Sequence, residues 1–305
     1  MDEQARPSRP GLVGFRISPI ASQGIDWPRL DATWAAGGAE DVFSAGWISD
    51  HLSDASRERG GGAFESLTTV AALAHRVPGK WIGIAVLANT FRHPSVVAKS
   101  AAVIDNVTGG RFILGLGAGW HLGEHETFGI PLPPMQERFA RFESAVATLA
   151  ALFSADARQP PGVTRVDPFY PLCDATLEPA PVRPEGPPIW LGGQRRRGIA
   201  LAARYAEGWP MPGNEAGNVP YFAAKRDEIS RVLEAAGRDP ADFTFGAQLT
   251  VANEPGSLRD GRATALEFLR AGANHFIIGI PGTEGPDSLR AMAREVAQPL
   301  RDAAG

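Results

Sequence analysis

Three stretches combine reactive side chains with turns that would present them. The first is Ser49-Asp50-His51. An imidazole titrates near neutral pH and suits general acid or base work. The adjacent Asp50 would orient that ring or stabilise its charged form. The plainer reading is a helix-capping Asp beside a structural His. The second and third stretches are Gly117-Ala118-Gly119 and Gly192-Gly193-Gln194. Glycines let the backbone approach a ligand closely, and helix N-termini favour phosphate. Leu122 stands where the third glycine of a dinucleotide fingerprint would fall, so the first loop is not that motif. Two such loops at neighbouring strand ends suggest one phosphate-bearing ligand. Arg195, Arg196 and Arg197 follow the second loop, either to hold an anionic tail or as a solvated helix face. His121, Glu124 and His125 match the H-x-x-E-H pattern of zinc proteases. Gly123 and the preceding glycine loop argue against the regular helix that this chemistry needs, so no metal is expected. His93 either faces the site or caps a loop, and His275 reads as structural.

These residues fall at the ends of apolar runs. Eight strand-like runs cover 12–17, 44–49, 81–87, 112–116, 188–191, 208–211, 243–251 and 275–280. They are near-continuously apolar, as in a parallel sheet covered on both faces. Helical stretches separate them. Met135, Phe139, Phe142, Val146, Leu149 and Phe153 recur at helical spacing and read as one stripe packed on the core. The pattern predicts a (β/α)8 TIM barrel with an insertion between the fourth helix and fifth strand, at about 155–186. A doubly wound sheet is the fallback. The polar, Gly-rich stretch 53–63 is either a mobile lid or a surface loop. In a parallel barrel, chemistry sits at the C-terminal ends of the strands.

Composition narrows the function. The 305 residues suit a single barrel domain over 1–305. A net charge of −4, with both signs interspersed, gives no basic face for nucleic acid. Cys173 stands alone, so no intrachain disulfide or Cys-based zinc site is expected. The N-terminus lacks the apolar core of a signal peptide, and no run approaches membrane-spanning length. A soluble cytoplasmic protein acting on a small molecule is the expectation.

With these residues in view, the chain resembles the bacterial luciferase-like oxidoreductase superfamily. It is most similar to the branch that uses the deazaflavin coenzyme F420. The matching stretches are WISDHL (47–52), GIAVLANTFRHP (83–94), TGGRFILGLGAGWHLGEHETFGIPLPPMQERFARFE (108–143), PPIWLGGQRRRGIALAARYAEGW (187–209) and AGANHFIIGIPG (271–282). The resemblance implies a (β/α)8 barrel, often a homodimer. It implies a bulge in the third strand with a non-proline cis peptide behind the cofactor ring, here Ala85-Val86. Asn89 and Thr90 would lie by the ring or its ribityl chain. Gly117, Ala118, Gly119, Gly192, Gly193 and Gln194 would bind the ribityl and phosphate. His51 matches the active-site His of the F420 branch. The implied chemistry is hydride transfer with His51 exchanging the proton; Trp47, Phe91 and Trp120 would shape the substrate pocket or, as strand-end aromatics, belong to the core. The alternative is an FMN-dependent monooxygenase fed reduced flavin by a partner reductase. One departure stands out. F420-dependent sugar-6-phosphate dehydrogenases carry a Glu at the position of Trp120, which argues against a sugar phosphate and for a more apolar substrate.

Overall fold

The structure is a computed structural model that describes residues 9–17, 25–54 and 62–305. Eight parallel strands close into a barrel: β1 (Val13–Ile17), β2 (Ala45–Ile48), β3 (Trp81–Ala88), β4 (Phe112–Gly117), β7 (Ile189–Leu191), β8 (Gly208–Pro210), β9 (Thr244–Thr250) and β10 (His275–Ile280). Around the barrel they run β1-β10-β9-β8-β7-β4-β3-β2. All eight runs read from the sequence are barrel strands, and the expected (β/α)8 fold is the observed one. The helices that cover the sheet are α1 (Trp27–Ala39), α2 (Ser66–Leu73), α3 (Pro94–Val107), α4 (Leu122–Phe128), α5 (Met135–Phe153), α6 (Arg196–Tyr205), α7 (Val219–Ala235), α8 (Pro255–Arg270), α9 (Pro286–Met292) and α10 (Gln298–Ala304).

Between α5 and β7 the chain makes a short 3-10 turn, Ala155–Arg158, and an antiparallel hairpin, β5 (Val163–Arg165) with β6 (Leu172–Ala175). The insertion is therefore partly regular. Its return path is tied down by buried Asp105 on α3, which accepts from the N–H groups of Val182 and Arg183 at 2.8 and 3.2 Å.

The barrel interior is filled by Ala45, Trp47, Trp81, Ile113, Trp190 and Ile277. Gly14 and Gly83 leave the room Trp47 needs: a Cβ on either would come within 2.5 Å of the indole. The indole Nε1 donates to His275 Nε2 at 3.0 Å, and His275 Nδ1 faces the Gly11 carbonyl at 2.7 Å. Burial drops the His275 imidazole to about 4, so it is a neutral structural link. On the outside, α5 buries Phe142, Val146, Leu149 and Phe153. Met135, expected on that stripe, is 61% exposed.

Candidate active site

β2 ends at Ile48, and the chain then delivers Asp50 and His51 to the barrel mouth. The partner of His51 comes from 73 residues away. Nδ1 of His51 lies 3.1 Å from Oε2 of Glu124 on α4. The other oxygen, Oε1, accepts from the N–H groups of Leu52 and Ser53 at 2.6 and 3.0 Å. Glu124 is buried. Burial alone would raise its carboxyl; the His51 ring and the two N–H groups outweigh that and hold it below the usual carboxylate range. An ionised carboxylate only accepts, so Nδ1 of His51 carries a proton. The neutral ring then keeps its lone pair on Nε2, the tautomer suited to exchanging a proton with a substrate.

Asp50 does not perform the orienting role expected of it. Its carboxylate accepts from Ser66 Oγ at 2.6 Å, from Ala88 N at 2.8 Å and from both terminal nitrogens of Arg92 at 2.9 Å. Arg92 also pairs with Glu65. Asp50 thus joins the end of β2 to the start of α2 and the end of β3. Burial would lower the Arg92 guanidinium, but Asp50 and Glu65 raise it. Just beyond His51, Ser53 and Gly62 form an antiparallel bridge. The polar loop read from the sequence lies largely outside the described residues.

β3 carries a bulge between Ile84 and Leu87, with a cis peptide at Ala85-Val86, as the resemblance implied. Val86 projects over a floor of glycines. A Cβ at Gly115 would sit 2.0 Å from the Ile84 carbonyl, and one at Gly117 would sit 2.8 Å from Val86. Asn89 N donates to the Gly117 carbonyl at 2.9 Å, which draws the ends of β3 and β4 together. The Asn89 side chain is buried and has no hydrogen-bond partner among the described residues. Thr90 Oγ1 lies 2.8 Å from His125 Nε2. At Gly119, with φ +85°, a Cβ would meet Thr90 Oγ1 at 2.3 Å. Ala118 packs on the main core.

The two glycines after β7 differ. At Gly193 a Cβ would lie 2.6 Å from the Gly198 backbone, so this glycine lets α6 dock. At Gly192 a Cβ would make only ordinary contacts, the nearest 3.5 Å to Val86. Packing does not demand a glycine there; a ligand lying on Val86 would. Gln194 Oε1 accepts from the Tyr221 hydroxyl at 3.3 Å. The N-terminus of α6 has no side-chain cap, and Arg195 and Arg196 beside it are exposed. Arg197 is drawn away, stacked on Phe139 at 4.7 Å. The half-buried Val86 among its glycines, an Asn89 carboxamide without a hydrogen-bond partner among the described residues and uncapped N–H groups at α6 suit a flat ring with a phosphate-bearing tail.

The three expected pocket aromatics separate. Trp47 is not in the pocket: it is wholly buried in the barrel, 4.9 Å from Trp190 between ring centroids. Trp120 is 67% exposed and stands edge-on to His51 at 6.5 Å. Phe91 lies 4.9 Å from the His125 ring and lines a cleft of about 520 Å³, with Asn89, Thr90, Leu132, Glu137 and Tyr170. In the H-x-x-E-H stretch, His121 Nδ1 caps α4 by accepting from Glu124 N at 3.1 Å. His125 Nδ1 turns to the His121 carbonyl at 2.7 Å. These histidines brace the mouth, and Glu124 is the member of the motif that meets His51.

Comparison with known proteins gives the frame for this geometry. The luciferase-like monooxygenase family model matches residues 32–300. An F420-dependent glucose-6-phosphate dehydrogenase of Kribbella flavida is 33% identical, covering 95% of this chain and 99% of the dehydrogenase. A phthiodiolone/phenolphthiodiolone dimycocerosates ketoreductase of Mycobacterium tuberculosis is 30% identical, covering 77% of this chain and 63% of the ketoreductase. The match thus spans less than two thirds of that relative's length. Among solved structures, an F420-dependent secondary alcohol dehydrogenase with an F420–acetone adduct superposes with a TM-score of 0.75 at 17% identity, over 96% of this chain and 99% of that one. The chain belongs to the luciferase-like monooxygenase family.

Proposed function

We propose that this protein is an F420-dependent oxidoreductase that exchanges a hydride with a small organic alcohol or carbonyl compound. The observation that carries this reading is the Glu124–His51 pair. It leaves Nε2 of His51 as a proton-exchanging atom at the mouth, at the same end of the barrel as the bulge at Val86 and the glycines around it, which suit a flat ring. When bound, a deazaflavin would supply the hydride-transfer chemistry. His51 gives a proton to the oxygen as a carbonyl is reduced, or takes one as an alcohol is oxidised. Glu124 holds the ring in one tautomer and balances the imidazolium that forms. Asn89, Thr90 and Gln194 and the glycine loops would hold the ring and its tail, with the α6 N-terminus near the phosphate. Trp120 and Phe91 form apolar walls. The two curated relatives, an F420-dependent dehydrogenase and a ketoreductase, support carbonyl–alcohol chemistry.

A second reading is an FMN-dependent monooxygenase supplied by a partner reductase; the family's own description favours it. A fluorescence titration with oxidised F420 and with FMN separates the two. Preference for F420 supports the first. Preference for FMN, with oxygen uptake on adding a reductase, replaces it. We further propose a cytoplasmic homodimer that binds neither nucleic acid nor membrane. No helix among the described residues is long and apolar enough to cross a membrane. Val96, Val103 and Val107 give α3 an exposed apolar side for a second copy. Light scattering tests the dimer.

A further inference from the structure

Among the described residues, one cation in the barrel has no carboxylate partner. Arg16 is the next-to-last residue of β1, in register with Trp47 on β2 and Gly279 on β10. It shares the inward face of β1 with Gly14, which backs onto the Trp47 indole. Its guanidinium donates to Oε1 of Gln248 on β9. That oxygen is aimed, because the Gln248 amide nitrogen is committed to the Met211 carbonyl. Gln248 is 3% exposed. A guanidinium has five N–H donors, so most of Arg16's are unused by this bond. Among the described residues no carboxylate pairs with it. The same chain pairs Arg92 with Asp50 and Glu65, and Arg165 with Asp167 at 2.6 Å. Burial lowers the Arg16 guanidinium to about 10, so it remains a cation near neutral pH. A charge in a barrel interior is normally paired, and one without a carboxylate partner costs stability. The side chain is not sealed off, since it keeps part of its surface.

Its place in the barrel says which ligand it meets. β9 lies diametrically across from β3, and β1 diametrically across from β7. The bulge and the glycine loops that suit the cofactor are on β3, β4 and β7. Arg16 and Gln248 therefore face the opposite wall, where the substrate would lie. Arg16 also stands level with Trp47, four residues before His51 along the neighbouring strand, and so lies deeper in the mouth than the acid–base group. A guanidinium fork matches a carboxylate with two parallel hydrogen bonds.

We propose that Arg16, aimed by Gln248, is the specificity residue that anchors a carboxylate of the substrate, so that the enzyme acts on an organic acid rather than on a neutral lipid or alcohol. This rests on the mouth being the active site, as proposed above. The substrate then has an apolar body against Phe91 and Trp120, a carboxylate at the floor, and its reacting carbon nearer His51.

The test is calorimetric binding of acetate, benzoate and 3-phenylpropionate, each against its own amide, to protein with and without F420. At least one acid should bind ten or more times tighter than its amide. Arg16→Met should bring the two within twofold, and Arg16→Lys should retain part of the preference. The melting temperature of each variant checks that it is folded. F420 affinity, followed by fluorescence, should be unchanged in Arg16→Met. Absence of any acid preference in the wild type, or its survival in folded Arg16→Met, overturns the proposal. A tenfold loss of F420 affinity with the acid preference intact also overturns it, by assigning Arg16 to the cofactor. If the wild type binds no F420, the cofactor reading falls, while the acid-against-amide comparison on unloaded protein still decides the role of Arg16.

Discussion

Replacing Glu124 by Gln isolates the tautomer of His51. In the structure Oε1 of Glu124 accepts two backbone N–H groups and Oε2 meets Nδ1 of His51. A glutamine can keep the two backbone bonds only with its oxygen in the Oε1 position. Its NH2 must then face His51 at the old 3.1 Å separation. Two donors cannot share that contact, so Nδ1 becomes the acceptor and Nε2 takes the proton. The loops stay in place while the proton-exchanging atom is reversed. Exchanging a charge-assisted hydrogen bond for a neutral one costs about 1–1.5 kcal/mol. If that loss falls wholly on the reacting state, hydride transfer slows by roughly 5–12-fold. The carboxylate form of Glu124 is held below its ordinary range, so the wild-type link persists through neutral pH and fails only as pH falls through that lowered value. The rate is read by stopped-flow absorbance of the cofactor at saturation, and the tautomer by 15N shifts of the imidazole. A Glu124→Gln enzyme with an unchanged rate and a still-protonated Nδ1 would refute the reasoning.

Three further outcomes follow from the packing. Gly193→Ala should lower the melting temperature by about 3–6 °C by pushing α6 off the sheet, whereas Gly192→Ala should stay within about 1 °C yet weaken cofactor binding about tenfold; equal effects would mean that helix docking and ligand contact are not divided between the two glycines. Trp47→Ala should cost about 3–5 kcal/mol in urea unfolding, from the cavity it leaves and the bond to His275 it loses; a raised KM with unchanged stability would instead return Trp47 to the substrate pocket. Glu207 keeps much of its side-chain surface, but desolvation by the packed chain around it raises its carboxyl from 4.5 to about 7, with Arg183 pulling it down, and solvent screening keeps the effect on stability small. The folded state thus keeps a proton that the unfolded chain releases, and stability falls as pH rises across that interval. Glu207→Gln, still able to accept from Ile189 N, should flatten the decline in melting temperature between pH 4.5 and 8; parallel curves for the two proteins would remove Glu207 from this role.

The barrel was readable because parallel strands buried on both faces leave continuous apolar runs. The same property hid Trp47. β2 is buried at all four positions, so no alternation marks which side chains point inward. The insertion's hairpin left little signal because its two strands are short and half-exposed. His51 and the glycine loops were visible as residue types at strand ends. Their partners were not. The nearest carboxylate in sequence, Asp50, is drawn to Arg92, and the one that meets His51 arrives on a helix from another βα unit. Glu124 left one trace, its place in a metal-like motif, and the chemistry attached to that motif pointed elsewhere. Arg16 left none, because one basic residue in an apolar strand does not disclose what it lacks.

The bridge between Ser53 and Gly62 has an evolutionary side. It closes the base of the segment after β2, while Glu124 and the Asp50–Arg92 cluster fix everything below it. Glu124 reaches this stretch through the backbone N–H groups of Leu52 and Ser53, which every residue but proline carries. Side chains at those two positions can therefore drift over evolutionary time while the frame that holds Glu124 against His51 persists.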